Sequence, residues 1–108
     1  MAAIPRVCQS LSPADKVQCL ITQEKVVIFA KPTCGFCRRA RSVFEDMRQP
    51  YIWVDLTQEK DGAEIQSVLA GLTGARTVPR VFVQGKCIGG GSETEAMFKS
   101  GVLQQLLS

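Results

Sequence analysis

Val26-Val27-Ile28-Phe29-Ala30-Lys31-Pro32-Thr33-Cys34-Gly35-Phe36-Cys37 carries, in order, a strand, a stop and a pair of thiols. The run from Val26 to Ala30 is continuously apolar and rich in β-branched side chains, as a strand buried on both faces requires. Lys31-Pro32 ends it, and from Cys37 onward Ala40, Val43, Phe44 and Met47 mark one face of a helix that Gln49-Pro50 stops. Arg38, Arg39, Arg41, Glu45 and Asp46 form the other face. Cys34 therefore lies where a strand gives way to a helix, and the unpaired N–H groups of the first helical turn face its sulfur. With Lys31, Arg38 and Arg39 nearby, its thiol is expected to ionise below the ~8.5 of a free cysteine. A lowered pKa changes the attack step little, but it makes Cys34 a better leaving group and so favours turnover. Cys37, within the first turn, reaches Cys34 but is more buried and is expected to be the resolving thiol.

The composition removes most competing chemistries. The chain has 108 residues, 13 Lys and Arg against 10 Asp and Glu, a net charge of +3, five Cys and no His. Without imidazole, most zinc enzymes, papain-like proteases and serine hydrolases are excluded. A charged fraction of 21% with 6% aromatics gives no basic stripe for nucleic acid. No apolar run approaches a spanning helix and the N-terminus lacks a signal-peptide core, so neither membrane nor secretion is expected. The cytoplasm is the expected compartment, with the mitochondrion second. A structural zinc half-site is the bland reading of the CxxC, but zinc needs two more ligands. Cys8, Cys19 and Cys87 are scattered and form no second CxxC. These three read as small buried hydrophobes or incidental thiols without mutual partners, Cys87 being nearest the site and the first candidate for oxidation.

Working outward, Ser12-Pro13-Ala14-Asp15 opens a helix over about 12–23, with Val17, Leu20 and Ile21 at helical spacing. A second strand covers 51–55. Thr57 is a candidate cap for a helix carrying Ile65, Val68, Leu69 and Leu72 that ends near Gly71 and Gly74. Val81-Phe82-Val83 and Cys87-Ile88 flank Gln84-Gly85-Lys86 as a hairpin, and after Gly89-Gly90-Gly91 a final helix runs from Ser92 through Leu107. Helical connections favour parallel pairing and the hairpin adds an antiparallel edge. The expected fold is α/β and thioredoxin-like: a four-stranded mixed sheet flanked by helices, in one domain over 1–108 with 1–11 as a flexible extension.

Lys31-Pro32-Thr33-Cys34-Gly35-Phe36-Cys37, then Thr77-Val78-Pro79, then Gly89-Gly90-Gly91-Ser92-Glu93, in this order and separation, resemble a dithiol glutaredoxin. The resemblance runs from about Val26 to the C-terminus. It implies a glutathione-dependent reductase of protein–glutathione mixed disulfides and protein disulfides, with Cys34 as nucleophile and Cys37 resolving, the two forming a redox-active disulfide. It also assigns the glutathione contacts. Lys31 and Gln66, helped by Arg76, match positions that hold the glycine carboxylate. Thr77, Val78 and Pro79 match the segment whose Val78 backbone pairs with the cysteinyl moiety, the family's proline being cis. Ser92 and the following N–H groups would take the γ-glutamyl carboxylate, Glu93 would face its ammonium where an Asp is common, and Phe36 would pack on the ligand.

Gly35 and Phe36 depart from the Pro and Tyr that usually stand between the cysteines, which removes a rigid ring and a phenolic hydroxyl. Some glutaredoxins with Gly or Ser at that Pro assemble a [2Fe–2S] cluster between two subunits, using the first cysteine of each and two glutathiones. The resemblance therefore carries an alternative, a cluster carrier or sensor that dimerises through Cys34, beside an enzyme expected to be a monomer.

Overall fold

The computed structural model describes residues 4–108. Its elements run α1 (Arg6–Gln9), α2 (Pro13–Gln23), β1 (Val26–Ala30), α3 (Gly35–Asp46), β2 (Ile52–Asp55), α4 (Gly62–Thr73), β3 (Arg80–Val83), β4 (Lys86–Gly89), α5 (Gly91–Ser100) and α6 (Val102–Leu107). The strands form one sheet in the order β2-β1-β3-β4. β1 and β2 pair in parallel, with Ile28 opposite Trp53, whereas β3 runs antiparallel to both β1 and β4. This is the expected mixed sheet flanked by helices. The helical connection through α4 nevertheless delivers β3 antiparallel to β1.

All five residues of β1 are buried, and they alternate between two cores. Val26, Ile28 and Ala30 face Ala40, Val43, Phe44, Trp53 and Leu103 on the side of α3, α5 and α6. Val27 and Phe29 face Val17, Leu20, Ile65 and Leu69 on the side of α2 and α4. Central strands covered on both faces read as unbroken apolar runs for this reason. The Phe29 ring also meets Phe82 edge-on at 5.7 Å.

Several local expectations change. Ser12 caps α2 as read, its hydroxyl accepting the Asp15 N–H at 3.3 Å. Thr57 does not cap α4; its N–H turns back to the Asp55 carboxylate at 2.9 Å, and the cap position is Asp61. The first residue of α4 is Gly62, where a Cβ would stand 2.0 Å from the Leu56 carbonyl oxygen, so the chain enters this helix through a contact that admits no side chain. The single final helix of the sequence reading is two, α5 and α6, broken at Gly101, whose φ of 85° is left-handed. In the hairpin, Gln84 and Gly85 both have positive φ, 53° and 81°, which makes a tight two-residue turn.

The largest correction lies at the N-terminus. Residues read as extension include α1, and its Cys8 is fully buried. The first three residues of the expected 1–11 extension lie outside the described residues. Cys8 is bonded to Cys19 of α2, the Cα atoms 5.7 Å apart, so two thiols read as incidental are mutual partners. The sequence offers no spacing signal for this bridge; the turn between α1 and α2 brings the sulfurs together.

Candidate active site

Cys34 occupies the N-cap of α3 with an extended backbone, and its N–H donates to the Lys31 carbonyl at 3.0 Å. The strand thus turns into the helix within a single tight loop, and both cysteines are free thiols. Cys34 is half-buried and Cys37 fully buried, its side chain packed into the core beneath α3. As a thiol, Cys34 donates weakly to the Val78 carbonyl at 3.7 Å. It makes no capping hydrogen bond to α3 in this state.

Ionisation changes that. Burial pushes the Cys34 pKa up, but the Cys37 thiol, the Cys37 and Phe36 backbone N–H groups and the Arg38 charge together bring it below the ordinary cysteine value. The N–H groups left open at the start of α3 are the ones a thiolate completes. Cys37 behaves oppositely: burial pushes its pKa up to about 12, the Lys31 backbone N–H opposing and the neighbouring Cys34 adding to the rise. Two thiols of identical chemistry, three residues apart, are thereby split into one poised to react and one held protonated.

The cation that acts on both sulfurs is Arg38, whose Nη1 also donates to the Pro32 carbonyl at 2.8 Å and so braces the loop before Cys34. The sequence reading named Lys31, Arg38 and Arg39 together for this role. Lys31 instead contributes through its backbone, as acceptor for Cys34 and as donor beside Cys37. Arg39 is engaged elsewhere, its guanidinium bonded to the Glu95 carboxylate at 2.7 Å and lying 5.3 Å from the centre of the Phe36 ring. That ring is 49% exposed beside Cys34.

Two further segments converge on this end of the sheet. Val78-Pro79 is a cis peptide bond and places the Val78 carbonyl against Cys34. This loop is held from beneath by Arg80, a residue to which the sequence reading gave no role. Its Nε donates to the Thr77 carbonyl at 3.0 Å and to the Pro79 carbonyl at 3.1 Å, so a buried guanidinium finds backbone acceptors. Gly91 opens α5 directly under the active-site loop; a Cβ there would stand 2.8 Å from the Phe36 carbonyl oxygen. Ser92, next in the helix, is exposed.

Glu93 folds back so that its carboxylate accepts the Gly90 N–H at 2.7 Å, which satisfies the N-cap donor of α5. That hydrogen bond, then its own N–H and the nearby Arg80 charge, outweigh burial and hold the carboxyl below its usual range. Gln66 lies on α4 and donates to the Arg76 carbonyl at 2.7 Å, while the Arg76 guanidinium reaches Ser67 at 2.9 Å. These residues are tied to each other on the α4 side. Cys87 is half-buried on β4 and lines an open cleft of about 640 Å³ with Gln18, Leu72 and Arg80; neither Cys34 nor Cys37 lines it. Among the described residues, no three His, Cys, Asp or Glu side chains cluster as a metal site.

Comparison with known proteins bears on the same residues. The family model described as Glutaredoxin matches residues 26–88. Glutaredoxin-C8 of Oryza sativa subsp. japonica is 43% identical over 100 residues, which cover 90% of this chain and 73% of that protein. The mitochondrial Glutaredoxin-2 of Mus musculus is 40% identical over 96 residues, 89% of this chain and 62% of that one. Among solved structures, the buckwheat glutaredoxin–glutathione complex superposes with a TM-score of 0.86 at 35% identity, covering 95% of this chain and 93% of that chain. The holo form of glutaredoxin C1 from Populus tremula x tremuloides gives 0.85 at 36%, covering 88% and 94%.

Proposed function

This chain belongs to the glutaredoxin family of thiol–disulfide oxidoreductases, and we propose that it uses glutathione to reduce protein–glutathione mixed disulfides and protein disulfides. The observation that carries the reading is the split pair: Cys34, half-buried with a lowered pKa, beside Cys37, buried with a pKa near 12. An enzyme acting on mixed disulfides needs one accessible thiolate that attacks and later leaves.

The Cys34 thiolate attacks the glutathionyl sulfur of the substrate, and the protein thiol leaves with the electron pair of the broken S–S bond. A second glutathione thiolate then attacks the glutathionyl sulfur on Cys34. Cys34 leaves as thiolate and glutathione disulfide is released. On a protein disulfide the mixed intermediate joins Cys34 to the substrate. Cys37 loses its proton and attacks the Cys34 sulfur, the substrate's second thiol leaves with the electron pair of the broken bond, and two glutathiones reduce the resulting Cys34–Cys37 disulfide. The Val78 carbonyl beside Cys34 supports backbone pairing with the cysteinyl part of glutathione, and the buckwheat relative is a complex with that molecule. Lys31 and Gln66 would hold the glycine carboxylate. Ser92 and the α5 N-terminus would take the γ-glutamyl carboxylate, leaving the Glu93 anion for the ammonium.

Cys34→Ser is expected to abolish reduction of a glutathionylated peptide, whereas Cys37→Ser keeps much of it and loses reduction of protein disulfides. Equal loss from both changes would overturn the assignment. A [2Fe–2S] cluster would have to draw one ligand, Cys34, from each of two chains, since Cys37 presents no surface. Anaerobic reconstitution with iron, sulfide and glutathione, read by visible absorption and sizing, separates that alternative from a colourless monomer.

A further inference from the structure

The chain carries a second sulfur pair that the active-site chemistry does not use. Cys8 is the buried residue of α1, while Arg6, Val7 and Gln9 are exposed, Val7 by 65%. The Gln9 side chain donates to the Ile4 carbonyl, within its own segment. A helical turn of this length does not persist alone, so the bridge from Cys8 to Cys19 is what fixes α1 against α2. The two sulfurs are not equivalent. Cys8 has no exposed surface and sits among Val17, Leu20 and Phe82. Cys19 is half-buried, and the exposed Gln23 amide donates to its Sγ at 3.8 Å. Thiol–disulfide exchange requires a thiolate to reach one sulfur while the other leaves. Of the two bridged residues, only Cys19 has exposed surface.

We propose that Cys8–Cys19 is a second redox site, which a small-molecule thiol opens by attack on the Cys19 sulfur, releasing α1 without involving Cys34 or Cys37. In the first step the incoming thiolate bonds to Cys19 Sγ and the Cys8–Cys19 bond breaks. Cys8 leaves with the electron pair and takes up a proton, becoming a neutral thiol of the kind an apolar core accommodates. A second thiolate then attacks the small molecule's sulfur on Cys19, which leaves as thiolate and is protonated. The bridge gains two electrons and two protons, and two thiols become one disulfide. The bridge belongs to the core of α2 and α4, whereas the working pair packs on the core of α3, so the proposal does not depend on the glutathione reading of Cys34.

The test uses the full chain in its bridged form and the Cys34→Ser variant, each exposed to millimolar glutathione, quenched by alkylation and mapped by peptide mass spectrometry. The expected result is a glutathionyl adduct on Cys19, none on Cys8, and the same opening rate in both proteins. Opening should speed amide exchange across Val7–Leu11 on the order of 100-fold, the loop-closure advantage of a bridge with a sequence separation of 11. Cys8→Ser should make Cys19 alkylable in the folded protein, whereas Cys19→Ser should label Cys8 more slowly, at the rate at which the freed α1 opens and well before the chain unfolds. A bridge that stays closed in the folded protein, an adduct on Cys8, opening that requires Cys34, or opening without faster exchange would each overturn the proposal.

Discussion

Cys34 and Cys37 stand three residues apart on one helix and are separate thiols, while Cys8 and Cys19 belong to different helices and are joined. The first pair lies where β1 ends, with helix N–H groups, a guanidinium and a backbone carbonyl around the accessible sulfur. The second lies in an apolar cluster between α1 and α2, with one amide near one sulfur. Spacing alone does not decide which sulfurs work. A reactive pair needs an open sulfur whose anion is stabilised and a buried partner whose anion is not. A stapling pair needs only two backbones at the right distance.

The largest expected effect tests whether the two faces are independent. Lys16, 7% exposed at its side chain, bonds Asp61 at 2.9 Å and ties α2 to the start of α4 beneath the stapled segment. The other Asp61 oxygen is buried without a partner. Removing the ammonium in Lys16→Ala strands a carboxylate and should cost about 2–3 kcal/mol of stability. Thermal unfolding reads the loss, and the Cys34 alkylation rate should not move. A slower Cys34 would show that the faces are coupled. On the active face, Gly91→Ala forces a Cβ against the Phe36 carbonyl and should lower turnover of a glutathionylated peptide roughly tenfold, with a stability cost of about 1–2 kcal/mol. Gly35→Ala is the control, because its Cβ would meet only Arg38 Nη2 at 4.0 Å. Equal losses from both would mean that the loop, not the α5 contact, governs the site.

Most of the reactive face was legible in the sequence, because each of its signals is local. A β-branched run, a proline, two cysteines at helical spacing and a Thr-Val-Pro segment each report the backbone they adopt. The bridge was not legible, since α1 is too short to show periodicity and nothing in the residues between Cys8 and Cys19 marks a turn that pairs them. The roles of the arginines were hidden for a related reason. Arg38 and Arg39 are adjacent in sequence, but a helix points them in different directions, one to the Pro32 carbonyl and the other to Glu95. Arg38→Ala should therefore slow Cys34 alkylation several-fold at mildly acidic pH, where the thiolate fraction limits the rate. Arg39→Ala should leave it within twofold. A reversed ranking would return the electrostatic role to the Phe36 side of the site.

The smallest expected effect separates the two pairs by protons alone. Cys34 has a lowered pKa in the folded chain, so below its unfolded value the unfolded state binds more protons. Stability should rise with pH across that window and be lost as pH falls through the folded pKa. Cys37 has the opposite sign: its ordinary value of 9.0 is raised to about 12, so above pH 9 the unfolded chain releases a proton that the folded chain retains. Stability should then fall as pH rises, by roughly 1 kcal/mol at half a unit above the unfolded value. Tyr51, raised from 10.0 to about 12 by burial and by the Glu45 carboxylate that its hydroxyl bonds at 3.0 Å, adds a decline that begins about a unit later. The bridged sulfurs do not titrate and contribute nothing to either slope. Denaturant midpoints between pH 6 and 10 should show the rise disappear in Cys34→Ser and the first part of the alkaline decline weaken in Cys37→Ser. The double variant Cys8→Ser/Cys19→Ser, which removes both sulfurs, should shift the whole curve without changing its shape, and a change of shape there would place titrating thiols in a pair that the structure joins.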